Sequence, residues 1–178
     1  MKKLFIITAI AFSVAGLKAQ DTEPFQASLA PNIAIYPRTT QIIGLSLNFW
    51  GENPQRGLDL GVINGSTGDS EGFTWAFIAN YADSYTGVAW SLVNISRENF
   101  TGWQAGMVNY SEGAFTGLQS GWVNVAQRFH GLQAGFVNYS ENLRGVQLGF
   151  VNVAMNNSWF NDLPDQFATG FPFVNWSF

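Results

Sequence analysis

The chain has 178 residues, a length for which a single domain is expected. Only 11% of the residues are charged, against about 25% in an ordinary soluble domain, so something other than a charged surface must prevent aggregation. A hydrophobic content of 47% excludes intrinsic disorder, and the absence of cysteine excludes disulfides and thiolate metal sites.

Residues 1–19 are predicted to be a secretory signal peptide. Lys2 and Lys3 form a positive start, residues 4–14 are apolar, and Ala19 ends a small-residue cleavage site. Eleven apolar residues are too few to span a bilayer as a helix, which argues against a membrane anchor. Cleavage would leave five basic residues, all arginine, against 12 acidic ones, a net charge of −7. We therefore expect an exported acidic chain that does not bind nucleic acid.

Residues 20–178 are predicted to form one β-repeat domain. Two strands come first, over residues 25–36 and 41–50, and turn residues at 51–54 end the second. Seven repeats follow, each with a glycine, an apolar residue, often Gln, a small residue, Gly, an apolar residue, Val and Asn. Their leading glycines are spaced by 15, 15, 15, 15, 14 and 14 residues: Gly57, Gly72, Gly87, Gly102, Gly117, Gly131 and Gly145.

Each repeat alternates between large apolar and small or polar residues. With the leading glycine as position 0, positions 1, 3 and 5 are mostly large and apolar, and position 2 is often Gln. In a strand these two sets face opposite sides. The large set supplies predicted lipid-facing aromatics: Trp75, Trp90, Trp103, Trp122, Phe136 and Phe150. Position 2 supplies a predicted polar row in a lumen: Asp59, Gln104, Gln119, Gln133 and Gln147.

A last strand is predicted over residues 168–178. Its apolar side chains alternate and it ends in Trp176 and Phe178, which resembles the assembly signal of bacterial outer-membrane barrels. That resemblance implies the barrel-assembly machinery as a partner. Charged residues fall between the repeats, at positions suited to hairpin turns.

Two architectures fit the repeat. We predict an antiparallel up-and-down β-barrel of about ten strands, and the alternative is a β-solenoid of parallel 14–15-residue repeats. Ten alternating residues, tilted, span about 23 Å, close to the roughly 25 Å of an outer-membrane apolar band. A narrow solenoid also has no room for stacked indoles inside. The Asn that ends each repeat is expected at the membrane rim.

The repeat and the segment Phe171-Pro-Phe-Val-Asn175 resemble the bacterial surface-repeat proteins. This resemblance implies a cell-envelope location and no established activity. The predicted function is that of a small outer-membrane barrel, in contact with outer-membrane lipid, with a structural or surface-interaction role. The alternative is a soluble or surface-attached β-solenoid binding module.

No catalytic, cofactor or metal site is predicted, and the chain is not expected to be an enzyme. His130 is the only histidine and lies at a predicted turn, so histidine metal sites and Ser-His triads lack parts. Asp59 is the only carboxylate inside a repeat strand, without a second one in register for acid–base chemistry. The tryptophan-rich face also suits a carbohydrate platform, although a lipid-facing or core role is favoured.

Overall fold

The structure is a computed structural model that describes residues 21–157 and 170–178. The predicted signal peptide, residues 1–19, lies outside the described residues. The described chain consists of strands and connecting turns. The strands are β1 Thr22–Ala30, β2 Ile33–Ala34, β3 Gln41–Asn53, β4 Gln55–Trp90, β5 Val93–Ser96, β6 Asn99–Ala154 and β7 Gly170–Ser177.

Successive turns of the chain stack in parallel. β3 pairs in parallel with β4, and β4 pairs in parallel with both β5 and β6. Where β4 meets β6 the paired residues are one repeat apart, as with Gly87 opposite Gly102. The fold is a β-solenoid. The predicted antiparallel barrel is therefore wrong, because an up-and-down barrel needs opposite directions in consecutive strands, and the solenoid alternative is the observed fold.

The strands continue through the bends of the solenoid. β4 has 36 residues and β6 has 56, because each turn bends where its neighbour bends and the pairing is not interrupted. The charged segments between repeats are consequently not hairpins. Glu112 and Arg128, for example, lie exposed within β6, on the path from one turn to the next.

The inward–outward alternation slips once in every repeat. In the repeat that begins at Gly131, Gln133 is buried, Phe136 is exposed, and Asn138 is buried. Unbroken alternation would place Asn138 on the same side as Phe136, because both occupy odd positions. The chain bends between them, so Asn138 points inward on the next side of the turn. This bend is what the assumption of ten uninterrupted alternating residues missed.

The leading glycines form one column along the solenoid. Gly117 has a φ of 131°, a conformation that side chains rarely adopt, and a Cβ there would collide with the carbonyl oxygen of Gly102 one turn earlier. The same contact recurs from Gly72 to Gly145. Close approach of backbone to backbone therefore accounts for the fixed spacing of these residues.

A stack of aromatic rings fills one side of the interior. Tyr85, Phe100, Phe115 and Phe129 lie two residues before successive leading glycines, with neighbouring ring centroids 5.6, 5.1 and 5.1 Å apart. The three phenylalanines are at most 2% exposed, and Leu143 continues the column at the next turn. The stack belongs to the segments that the sequence analysis placed between strands.

Both ends of the solenoid are covered by strands that do not belong to the repeats. β7 pairs antiparallel with the last turn of β6, with Val146 opposite Trp176, and β1 pairs with the short β2 and with β3. Terminal units of this kind shield the open edges of a repeat protein. Trp176 is half-buried and Phe178 is exposed, so the strand expected to carry a barrel-assembly signal instead caps a solenoid.

The glycine column gives a test of this packing. Gly117→Ala should lower the free energy of unfolding by on the order of 3 kcal/mol, because strain at φ 131° adds to overlap with Gly102. Gly68→Ala is the control, since its φ is 58° and nothing lies within 4 Å of a Cβ there; we expect about 1 kcal/mol. Urea unfolding measures both, and equal losses would contradict the packing.

Candidate functional site

The large apolar residues of the repeats lie on the outside of the solenoid. The six aromatic residues singled out in the sequence are exposed by between 40% at Trp103 and 68% at Trp122. We call the outward side chains at positions 1, 3 and 5, from β3 to β7, the aromatic face. The contact with membrane hydrocarbon expected for these side chains depended on the barrel and is withdrawn with it.

The aromatic face is continuous from turn to turn. Phe136 and Phe150 stack with centroids 5.1 Å apart, and Phe173 of β7 meets Phe150 edge-on at 6.1 Å. Position 5 is large or branched at every level, with these residues in order along the solenoid: Phe49, Val62, Phe77, Leu92, Met107, Trp122, Phe136 and Phe150. An apolar column of this length makes one surface rather than scattered exposed residues.

The middle column of the face changes in size half-way along the solenoid. Position 3 carries Leu60, Trp75 and Trp90 in the early repeats. It then carries small residues in the next three repeats, Ala105, Ser120 and Ala134, before Leu148 in the last one. The first group forms a ridge and the second a trough beside an open groove of about 520 Å³, lined by Trp122, Phe136 and Phe150 with two glycines.

Charges are kept off this face. No charged residue occurs at positions 1, 3 or 5 of the seven repeats. The charged side chains of the repeats lie at other positions, and some of them form ion pairs, as Arg97 does with Asp83 at 3.3 Å and Arg56 with Glu71 at 3.7 Å. Such exposed pairs contribute little to stability, but they leave the aromatic face electrically neutral.

The predicted polar row lies inside the solenoid and is fully enclosed. Gln119 donates to Gln104 at 3.0 Å, Gln133 to Gln119 at 2.8 Å, and Gln147 to Gln133 at 2.8 Å. All four glutamines are at most 1% exposed. They form a ladder of amides in a packed interior, where the sequence analysis expected the wall of a lumen.

A second amide ladder runs through the interior, formed by the asparagines that were predicted to lie at a membrane rim. From the second repeat onward, the asparagine that ends each repeat bonds to the next, with N···O distances of 3.1, 2.8, 2.8, 2.8 and 2.8 Å between Asn80, Asn94, Asn109, Asn124, Asn138 and Asn152. These six side chains are at most 4% exposed. The signal available in the sequence was the recurrence of Asn seven or eight residues after the leading glycine in all seven repeats.

Each rung of the asparagine ladder also satisfies the backbone. Asn124 donates one amide hydrogen to Asn138 at 2.8 Å and the other to the carbonyl oxygen of Ala134 at 3.1 Å. Its own side-chain oxygen accepts from Asn109 at 2.8 Å. The side chain therefore holds three turns in register.

Asn124→Ala tests the ladder. The change leaves buried polar groups of Asn109, Asn138 and Ala134 without partners, and each such group costs about 1–3 kcal/mol, so we expect a loss of roughly 3–5 kcal/mol in the free energy of unfolding. Gln127→Ala, at an exposed position nearby, should change it by less than about 0.5 kcal/mol. Denaturant titration compares them, and a similar small effect at both positions would disprove the role of the ladder.

Asp59 occupies position 2 of its repeat, where the later repeats have Gln. It is 2% exposed and accepts a hydrogen bond of 2.7 Å from the Nδ2 of Asn48. Burial raises the pKa of Asp59 to about 7, although the bond from Asn48 opposes the rise. Burial, together with the charge of the nearby Asp59, raises the pKa of Tyr85, whose hydroxyl has no hydrogen-bond partner among the described residues. An enclosed carboxyl group of this kind cannot meet a substrate.

The pKa of Asp59 predicts a pH dependence of stability. Between its ordinary pKa of 3.8 and about 7, the folded chain retains a proton that the unfolded chain has lost. The contribution of Asp59 is thus most favourable below the lower pKa and declines as pH rises to about 7, by on the order of a few kcal/mol.

Asp59→Asn keeps an oxygen for Asn48 and removes the titration. The variant should be more stable than the wild type at pH 8, and the difference between them should shrink toward pH 4. Urea midpoints measured across this range provide the comparison. A difference that does not vary with pH would show that Asp59 ionises normally.

No described side chains form a cluster of three or more His, Cys, Asp or Glu that could hold a metal ion. His130 is exposed, within β6. Within residues 21–157 and 170–178, no helix has the length and hydropathy needed to cross a membrane. Comparison of the chain with models of known protein families gave no match, and neither did comparison with curated proteins or with solved structures.

Proposed function

We propose that the protein is an exported β-solenoid binding module whose working surface is the aromatic face. The observation that supports this most directly is the continuous apolar surface on the outside of a solenoid whose interior is already filled. Nine strands about 4.8 Å apart, each presenting about five residues at 3.3 Å, cover roughly 700 Å². Monomeric soluble proteins rarely expose an apolar patch larger than about 300–600 Å², and larger ones mark interaction sites.

The arrangement of polar groups supports binding rather than chemistry. The amides of the two ladders are bonded to one another and buried, so they are not offered to a ligand. The aromatic face itself offers large rings and few hydrogen-bonding groups. Binding of an apolar partner to such a surface is favourable because it removes apolar area from water. Export follows from the predicted signal peptide, and the resemblance to surface-repeat proteins agrees with a place in the cell envelope.

Thiol labelling in intact cells tests whether the face is covered. The chain has no cysteine, so Trp122→Cys introduces a single thiol on the aromatic face and Arg128→Cys introduces one at an exposed site away from it. With N-ethylmaleimide, the thiol at 122 should react at least about tenfold more slowly than the thiol at 128, because a partner excludes the reagent.

The same two variants, purified and unfolded in urea, should react at equal rates, which controls for intrinsic reactivity. Equal rates in intact cells would mean that the aromatic face is bare in its working environment. The proposed function would then be wrong.

A further inference from the structure

We propose that the partner of the aromatic face is the same face of a second copy, packed in an antiparallel two-fold dimer. This inference rests on the proposed function and names the occupant of its surface. Three properties of the face lead to it: its area, its neutrality on an acidic chain, and the ridge and trough along its middle column.

The area suits a stable dimer. A standard protein–protein interface buries about 800 Å² on each partner, and the aromatic face offers roughly 700 Å² before the relief of its side chains is counted. Homodimer interfaces are also more apolar than other interfaces, about 65% at their centre. Two β-faces pack well at a separation of about 10 Å, as in a β-sandwich.

The charge of the chain disfavours a membrane surface as the occupant. Proteins that lie on bilayers combine an apolar surface with Lys and Arg, which attract anionic lipid. No Lys follows Lys18, and acidic residues outnumber basic ones. In a face-to-face dimer, by contrast, no charge from position 1, 3 or 5 of a repeat needs to be buried, and the charged bends of the two copies remain in water.

The ridge and trough make the face complementary to itself. Consider a two-fold axis that runs along the strands and passes between the levels of Trp90 and Ala105. Rotation about it keeps each column over itself and reverses the order of the turns. Trp90 then lies over Ala105 of the second copy, and Trp75 lies over Ser120. At the next level Leu60 lies over Ala134, so each ridge residue meets a trough residue.

The axis also divides the face evenly. Each strand segment that begins at one of the stacked glycines makes one level of the face. Four levels lie on one side of the axis, those of Gly44, Gly57, Gly72 and Gly87. The other four lie on the opposite side, those of Gly102, Gly117, Gly131 and Gly145. β1 then faces β7 at the ends. The three inner pairs in the middle column combine a large side chain with a small one, which favours close packing at a 10 Å separation, and the outermost pair is Leu47 with Leu148.

Polar groups near the trough do not oppose this packing. The indole nitrogen of Trp103 donates to the hydroxyl oxygen of Ser120 at 2.7 Å, so burial of this indole leaves no donor unpaired. The Ser120 oxygen has a second lone pair, which is available to the Trp75 indole of the second copy in this register.

Sedimentation equilibrium of the mature chain, residues 20–178, tests the dimer. We expect a monomer–dimer equilibrium that added salt strengthens, because the interface is apolar and both copies are acidic. Phe136→Glu should weaken the dimer at least about 100-fold, since it buries an unpaired charge in each copy. Thr116→Glu adds the same charge at an exposed site off the face and should weaken the dimer less than about threefold.

A compensating pair of substitutions tests the register. Ala134→Trp fills the trough where Leu60 of the second copy should lie, and this variant should be mainly monomeric. Leu60→Ala added to Ala134→Trp reverses the large and small partners and should restore the dimer. Leu60→Ala with Ser120→Trp is the control, because those two levels do not face each other and no recovery is expected. Circular dichroism and urea midpoints verify that each variant is folded.

Three results would overturn the inference: a wild-type chain that stays monomeric at about 100 µM, a dimer insensitive to Phe136→Glu, or recovery by the control pair as well as by the designed pair. Flotation with phosphatidylcholine vesicles that Phe136→Glu abolishes would identify lipid as the occupant instead. If the purified chain is monomeric while the thiol at 122 is protected in cells, the proposed function stands and only the dimer fails. If that thiol is unprotected, both fail.

Discussion

The stability of this solenoid depends on hydrogen bonds between identical amides in successive turns. Asn94, Asn109, Asn124, Asn138 and Asn152 bond in line at 2.8 Å, a spacing that only parallel turns in constant register allow. Each amide also bonds a backbone carbonyl near a bend, as Asn124 does at Ala134. One residue type thus fixes both the distance between turns and the path of each turn.

The ladders fill the interior with amides, and this moves much of the apolar content outward. A narrow solenoid has room for Gln, Asn and one stack of flat rings such as Phe115, while the indoles of Trp75 and Trp122 must lie outside. The usual relation between burial and polarity is therefore reversed over much of the chain. The low fraction of charged residues follows from the same arrangement, because one side of the solenoid carries rings where another protein would carry charges.

The sequence sufficed to predict strands, repeats and the outward direction of the large residues, but not the direction in which neighbouring strands run. Alternation from Gly131 to Phe136 is the same in a barrel strand and in one side of a solenoid turn. The decisive residue was Asn138, whose odd position indicates the outer face unless the chain bends before it. Phe100 and Phe129 were not predicted to be core residues because they precede the leading glycines, in segments that contain charged or polar residues and were expected to form turns.

The column of leading glycines also bears on how such a chain can change length during evolution. Every turn rests on the one before it through the same backbone contact, so duplication of a whole unit presents its neighbours with surfaces they already fit. The shift from 15 to 14 residues after Gly117 falls between Asn124 and Phe129, at an exposed bend that leaves all interior columns aligned. Each added unit would lengthen the outer face by about 4.8 Å. Under the proposed function, the number of units would therefore adjust the area offered to a partner in small steps without redesigning a contact.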